Sequence, residues 1–410
     1  MIAYRGIYAT DLPLPEDALR AFSSGWSAPA PRTETVTLQE CGSRVLARDL
    51  RAATNVPEFA RSAMDGFAVR AADVRTAEPG RPVFLTLAGE ARPGARLALP
   101  ERSVLRVATG GPLPEGADAV VRVEDAFVDG NAVGVAKAPA TGADIVAAGD
   151  DLPAGTMVAP AGTVIGAALQ GILASLGAER VEVYRRPSAV LLSTGDEVVP
   201  ISTLPGPGEV RNSNGIVLTA LLRSFGVGDI IARHVRDDVD ALRRAIAEAA
   251  DEHDAIVVSG GSSVGSRDFT AAALAGLPPP GVLVHGVRMK PGRPVLLAAS
   301  GPRPIVGLPG NPTAAMLALM VFGAPIFAAL TGRTAASPSD VGIAAESIAG
   351  TPGWACCVPV RLDAAGFVRP VAHRCSTLVS TLVAADGYVF LDAARPAIAA
   401  GDPVRVCRLP

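Results

Sequence analysis

This chain has little of what most metal and covalent chemistries need. Four histidines (His234, His253, His285, His373) are spread over 410 residues, and none falls in an HExxH pattern. Five cysteines (Cys41, Cys356, Cys357, Cys375, Cys407) are scattered, odd in number and without the short paired spacing of a zinc knuckle. They read as reduced, mostly buried thiols, with the Cys356-Cys357 pair filling an alternating apolar strand. No long basic run occurs, so the charge footprint of a nucleic-acid binder is missing. Apolar runs are short and broken by Gly, Pro or charge, which predicts no membrane span. The first residues, MIAYRGIYATDLPLPEDALRAF, hold no continuous apolar stretch and argue against a secretory signal. The expectation is a soluble, cytoplasmic protein that binds neither nucleic acid nor membrane.

What is present is apolar mass and punctuation: 49% hydrophobic residues, 43 glycines and 35 prolines. That length and composition favour roughly two to four domains over one continuous core. The net charge of −3 reflects near-balance, with 37 basic and 40 acidic residues. A local pocket can still take an anionic small molecule, because it need not share the global sign.

Pro13-Leu14-Pro15-Glu16-Asp17 leads into a short amphipathic helix. TVTLQECGSRVLARDLRAA predicts a strand and then a helix that turns Leu46 and Leu50 inward. Over residues 54–141 the pattern becomes short alternating runs (VFLTLAG, SVLRVATG, AVVRVED, AVGVAKA) separated by Gly and Pro, which predicts a β-rich module. A helix follows over 165–176, stopped by Gly177. The module therefore reads as an insertion into a discontinuous N-terminal domain made of 1–53 and 142–186.

Residues 187–332 alternate buried strands with helices, as in SAVLLSTGDE, GIVLTALLRSFG, DIIARHVRDD, DALRRAIAEAADE, DAIVVSGGSS and PIVGLPGNP before a long apolar helix. This predicts a mostly parallel α/β sheet covered on both faces, with ligands beyond the carboxyl ends of its strands. TGRTAASPSD has linker composition. Short strands with turns then predict a small β domain over 338–410.

Three loops of the central unit share one design. Leu192-Ser193-Thr194-Gly195-Asp196-Glu197 delivers hydroxyls, a glycine and two carboxylates. Val258-Ser259-Gly260-Gly261-Ser262-Ser263 permits close backbone approach and offers N–H groups to an anion. Gly307-Leu308-Pro309-Gly310-Asn311-Pro312-Thr313 feeds a helix N-terminus that favours a phosphate. Each alone reads equally as an ordinary βα connection, and none matches a P-loop or a dinucleotide fingerprint.

Asp196, Glu197, Asp237, Asp238 and Asp268 each lie near a predicted strand end. Clustered acids repel unless protonated or joined to a cation, and hard oxygen ligands suit Mg²⁺. Helix capping is the competing role, for Asp238 above all. Lys290 and Arg293, in a turn held by two prolines, supply positive charge toward an anion or form a solvated basic turn. In the insertion, Asp65 and Thr109 sit in polar loops of otherwise apolar segments. Asp65 serves a site there or merely satisfies turn amides.

As a set, these segments closely resemble the molybdopterin molybdenumtransferase family, which includes the C-terminal region of gephyrin. The matching stretches are 62–69, 109–120, Ser193-Thr194-Gly195-Asp196-Glu197, Arg211-Asn212-Ser213-Asn214-Gly215, 259–265, Met289-Lys290-Pro291-Gly292 and 307–312, with order and spacing held from about residue 33 onward. The resemblance implies four domains: the discontinuous one, the insertion, a molybdopterin-binding α/β domain and a C-terminal β-barrel-like domain. It implies an elongated homodimer whose cleft lies between the central domain of one subunit and the inserted domain of its mate. The implied reaction joins molybdate to adenylylated molybdopterin with Mg²⁺ and releases AMP. The molybdopterin adenylyltransferase and apo-molybdoenzymes are the implied partners.

Carried over by position, Asp65 and Thr109 would complete the cleft. Glu197, Asp237 or Asp238, and Asp268 would hold Mg²⁺ or position the ligand. Lys290 and Arg293 would face molybdate or phosphate. Ser193, Thr194, Gly195, Asp196, Ser259, Gly260, Gly261, Ser262, Pro309, Gly310, Asn311 and Pro312 would shape the molybdopterin pocket. The chain departs from the family pattern at three points. Ile145-Val146-Ala147-Ala148-Gly149-Asp150-Asp151 lacks the usual hinge arginines, Ser266-Arg267 stands where an acid is common, and Cys375-Ser376 replaces Gly-Ser. Missing hinge arginines put anion contacts in question: either the positive charge is relocated, with Arg267 as one candidate, or the chain is a paralogue with altered metal or substrate preference. The competing functions are a tungstate-inserting paralogue, a related nucleotide hydrolase, and a non-catalytic molybdopterin-binding scaffold.

Overall fold

The protein is described from a computed structural model over residues 11–94, 98–261, 269–334, 339–371 and 379–410. Its central unit is a six-stranded sheet. In chain order the strands are β1 (Ala189–Thr194), β2 (Ile230–Val235), β3 (Ala255–Ser259), β4 (Pro280–His285), β5 (Leu296–Ser300) and β6 (Arg303–Leu308), and in space they run β2-β1-β3-β6-β5-β4. The first four in that order are parallel, while β5 is antiparallel to β6 and to β4. Every residue of β1 and β3 is buried. Covered on both faces, such strands read as unbroken apolar runs rather than as alternation.

Period-two geometry divides those runs between two cores. Leu191, Val257 and Val306 join one, with Leu218, Leu221 and Leu222 of helix α1 (Ser213–Ser224). Val190, Leu192, Ile256 and Ile305 join the other, with Leu242 and Ile246 of helix α2 (Val239–Glu252). The long apolar helix after β6 begins at Pro312, loosens into a π-helical turn at Leu319–Gly323 and resumes at Ala324–Thr331. Pro325 removes one helical donor and accounts for the interruption. By length and hydropathy this helix could cross a membrane. Its Leu317, Leu319, Phe322 and Phe327 are nevertheless fully buried in the central core.

Segments on either side of the β-rich stretch at 66–135 pair with one another. Thr33–Thr37 runs antiparallel to Arg180–Tyr184, Leu50–Arg51 to Met157–Ala159, and Arg61–Ser62 to Ile145–Val146. Between them the chain builds a separate six-stranded sheet with its own core around Phe67, Val69, Leu85, Val104 and Val121. At the C-terminal end, Ala355–Leu362 pairs with both Phe367–Pro370 and Gly387–Leu391, which closes the sheet on itself like a barrel. Cys356 and Cys357 are buried in this strand, as fillers. Met289–Lys290 adds to the same sheet, so the basic turn of the central unit is tied to the C-terminal domain.

The helix expected after the first strand does not form. A capping box, in which the Glu40 carboxylate accepts from Thr37 N (3.2 Å) and Thr37 Oγ1 (2.7 Å), starts a single turn over Leu38–Glu40 that stops at once. Ser43 then takes φ 60°, and Val45 and Leu46 bridge to Val164 and Val183. The four-residue spacing of Leu46 and Leu50 fits a helix face, yet strand partners more than a hundred residues away claim both ends of the segment.

Candidate active site

The carboxyl ends of β1, β3 and β6 open onto three loops that touch one another. Asn214, in the first turn of α1, joins two of them: its Nδ2 donates to Ser259 Oγ and to the Gly310 carbonyl, both at 2.8 Å. Gly260 and Gly261 have φ of 97° and 68°, where a side chain is strained. A Cβ on Gly260 would stand 2.6 Å from the Thr194 carbonyl, and one on Gly261 2.6 Å from Thr270 Oγ1. Thr270 Oγ1 in turn donates to the Gly260 carbonyl at 3.0 Å. Asn311 takes the N-cap position and Pro312 opens the following helix.

Among the described residues, this mouth holds buried polar atoms with no partner: Ser193 Oγ, Thr194 Oγ1, Asn214 Oδ1 and Asp237 Oδ1. A buried donor or acceptor left unmade costs about 1–3 kcal/mol. Ser193 and Thr194 at the end of β1, Asp237 just after β2 and Asn214 in the first turn of α1 describe a surface shaped for something polar.

The acids have separated roles. Asp238 caps α2 by accepting from Ala241 N at 2.6 Å. Asp196 accepts from the Asp237 amide at 3.3 Å and stands 3.6 Å from Arg236, an exposed pair worth little. Asp237 is half-buried, and burial, then the Glu197 and Asp196 carboxylates, push its carboxyl above the usual range. His234 Nε2 hydrogen-bonds the Gly195 carbonyl at 2.8 Å and steadies the same loop. Among the described residues no three His, Cys, Asp or Glu side chains form a ready metal cage. Asp268, Ser262 and Arg267 lie outside the described residues, as does Cys375.

Lys290 and Arg293 lie at the same end of the sheet, because Leu296 at the start of β5 pairs with Gly307 near the end of β6. Both cations sit against Trp354 of the C-terminal domain, with Lys290 Nζ 4.6 Å and Arg293 Cζ 5.4 Å from the ring centroid. Such contacts are worth about 0.5–1 kcal/mol at exposed sites and fix direction as well.

Asp65 and Thr109 meet each other. Thr109 donates to Asp65 Oδ1 from its backbone N at 2.8 Å and from Oγ1 at 3.1 Å, which holds the carboxyl below its usual range. Both residues are exposed at the tip of the inserted sheet. Among the described residues no hydrogen bond or ion pair joins either to the central mouth. A cavity of about 500 Å³ lies elsewhere, between the C-terminal domain and the helix Ala324–Thr331, and is lined by Met320, Tyr388 and Leu409.

Sequence reasoning assigned no role to Asn214, Thr270 or Trp354. Asn212-Ser213-Asn214 signals a helix start, and Asn212 does cap α1 through Gly215 N. That the next asparagine reaches two other loops has no signature along the chain.

A molybdopterin molybdenumtransferase from Synechococcus elongatus is 33% identical over 382 residues, 91% of this chain and 94% of that protein. The chain belongs to the molybdopterin molybdenumtransferase family. Three family models tile it: the MoeA N-terminal region (domain I and II) over 15–177, a probable molybdopterin binding domain over 190–329, and the MoeA C-terminal region (domain IV) over 341–409. A further molybdopterin molybdenumtransferase, from Nostoc, is 35% identical over 73% of this chain and 70% of its own length. A molybdopterin biosynthesis MoeA protein from Pyrococcus superposes with TM-score 0.77 at 28% identity, over 97% of this chain and 99% of that one. The mouth described above thus belongs to the stretch matched by the molybdopterin binding domain. The Asp65–Thr109 tip belongs to the stretch matched by the N-terminal region.

Proposed function

We propose that the chain inserts molybdenum from molybdate into adenylylated molybdopterin, releasing AMP. The observation that carries this reading is the central mouth, where three loops, two of them joined by Asn214, present unpaired buried polar atoms beside an acidic group. In this reading Ser193, Thr194, Ser259 and the Gly260-Gly261 backbone hold the phosphorylated pterin. Glycine there lets the ligand approach the main chain. Lys290 and Arg293, directed by Trp354, face the oxyanion and stabilise charge that develops on the pyrophosphate. No covalent nucleophile from the protein is required.

Mg²⁺ fits the acids at Asp237 and Glu197. Asp237 Oδ1 is buried without a partner among the described residues, and burial, then the Glu197 and Asp196 carboxylates, favour its neutral form, a tension that a cation relieves. Mg²⁺ is commonly bound by one or two carboxylates, with water and phosphate completing its shell, so a three-residue cage is not needed. When bound, it supplies positive charge to the phosphates. Asp238 is left to its helix cap.

Asp65 and Thr109 are proposed to enter the mouth of a second copy, as in a homodimer with a shared cleft. The cytoplasm, where adenylylated molybdopterin would be received from an adenylyltransferase and the product passed to apo-molybdoenzymes, is the proposed setting. The test is AMP release from adenylylated molybdopterin with Mg²⁺, with and without molybdate. Molybdate-stimulated release is expected; its absence would sink the reading. Replacement of molybdate by tungstate tests the oxyanion preference in the same assay.

A further inference from the structure

The opposite end of the central sheet carries a second polar cavity, about 260 Å³ in volume, that the reaction above does not use. It lies where the strands begin. Asp254 precedes β3, Pro302 and Arg303 lead into β6, and Arg185 belongs to the link that enters β1; Arg32 comes from the connection after the N-terminal helix. The five residues of β3 separate it from the mouth by roughly 16 Å.

Its charges do not cancel. Arg185 Nη2 donates to Asp254 Oδ2 at 2.8 Å, and the Ser188 amide donates to the same oxygen at 2.8 Å. Although burial pushes Asp254 up, the Ser188 amide and the Arg185 guanidinium together hold its carboxyl below the usual range. Asp254 therefore stays ionised and balances Arg185. Arg32 and Arg303 line the same cavity, and among the described residues neither side chain has an ion pair or hydrogen bond. Arg185 Nε is buried there without a partner.

We propose that this cavity is a binding site for a compact oxyanion carrying phosphate or carboxylate oxygens. Two guanidiniums without a counter-charge and one buried unpaired guanidinium N–H match such a group, since arginine forks bind planar and tetrahedral oxyanions through paired N–H donors. The volume suits a small anion rather than a nucleotide. The bound group would join the segment at residues 29–32, the 185–188 link and the start of β6.

Trp26 offers a local reporter. It is buried, its Nε1 donates to the Pro302 carbonyl at 3.0 Å, and the chain's only other tryptophan is Trp354. In a Trp354→Phe background, titration with inorganic phosphate should change Trp26 emission saturably, with succinate as a parallel arm. Binding of either anion supports the site, and the tighter one identifies the preferred head group. Arg303→Gln and Arg32→Gln should each weaken binding about tenfold, while Arg303→Lys keeps part of it. Circular dichroism confirms that the variants are folded. No saturable response to either anion, or wild-type affinity in both folded glutamine variants, overturns the proposal. Because AMP release is not the readout, failure here leaves the transferase reading untouched.

Discussion

The central mouth and the tip of the inserted domain are both rich in polar groups, but they hold them differently. At the mouth the groups are buried and several are unpaired. At the tip Asp65 and Thr109 are exposed and already satisfy one another. The first arrangement is costly unless a ligand completes it; the second is stable alone and becomes useful only when brought to another surface. If the two regions form one site, as proposed, it should show two kinds of mutational response, one coupled to folding and one not.

The largest expected effect tests the uncoupled half. Asp65→Asn should lower AMP release on the order of 10²-fold, the size of losing one charge-positioning group, without shifting Tm. Mixing it with Glu197→Gln sharpens the point. If the cleft spans two subunits, reassorted dimers recover roughly a quarter of the clefts, since one cleft in each heterodimer is intact. No recovery on mixing places both residues in one subunit's site.

At the mouth, activity and stability should fall together. Gly260→Ala places a Cβ 2.6 Å from the Thr194 carbonyl at φ 97°, so a loss of about 1–3 kcal/mol in urea unfolding is expected alongside weaker turnover. Asn214→Ala removes two loop-to-loop hydrogen bonds and should cost about 1–2 kcal/mol, with a raised KM for the pterin substrate. Wild-type stability in either variant would erase the distinction between the two regions. Trp354→Ala is a smaller test: loss of the cation contacts should raise the KM for molybdate roughly two- to fivefold.

The smallest effect has the opposite sign. Burial, Glu197 and Asp196 raise the Asp237 carboxyl above its ordinary value of 3.8, so its ionised form costs folding free energy at neutral pH. That cost is absent below the ordinary value and fully present above the raised one. Asp237→Asn should therefore raise Tm at pH 7, and the gain should fade as pH falls toward the ordinary range. A gain that persists at low pH would assign it to something other than charge.

Much of the central unit was legible along the chain because each of its signals is local. Strands buried on both faces read as apolar runs, Asp238 stands at a helix start, and Gly226 ends α1 with φ 91°. The stretch after Thr37 was misread because its structure is not local. The spacing of Leu46 and Leu50 suits a helix, while Val164, Val183 and Met157–Ala159 supply strand partners instead. The long helix was legible as apolar but not as interrupted, since the π-helical turn is the chain's accommodation of Pro325 within a packed core.

Residue type and order by themselves determined which loops carry hydroxyls, glycines, acids and bases, and that they follow buried strands. Tertiary structure alone decided how the acids divide their work, with Asp238 on a helix end and Asp237 half-buried with one carboxylate oxygen left without a partner among the described residues. It alone brought Asn214 across two loops, set Trp354 under both cations and paired Thr109 with Asp65. The reason is physical: propensity and capping act over a few residues, whereas burial, repulsion and side-chain reach depend on neighbours that only the folded chain supplies.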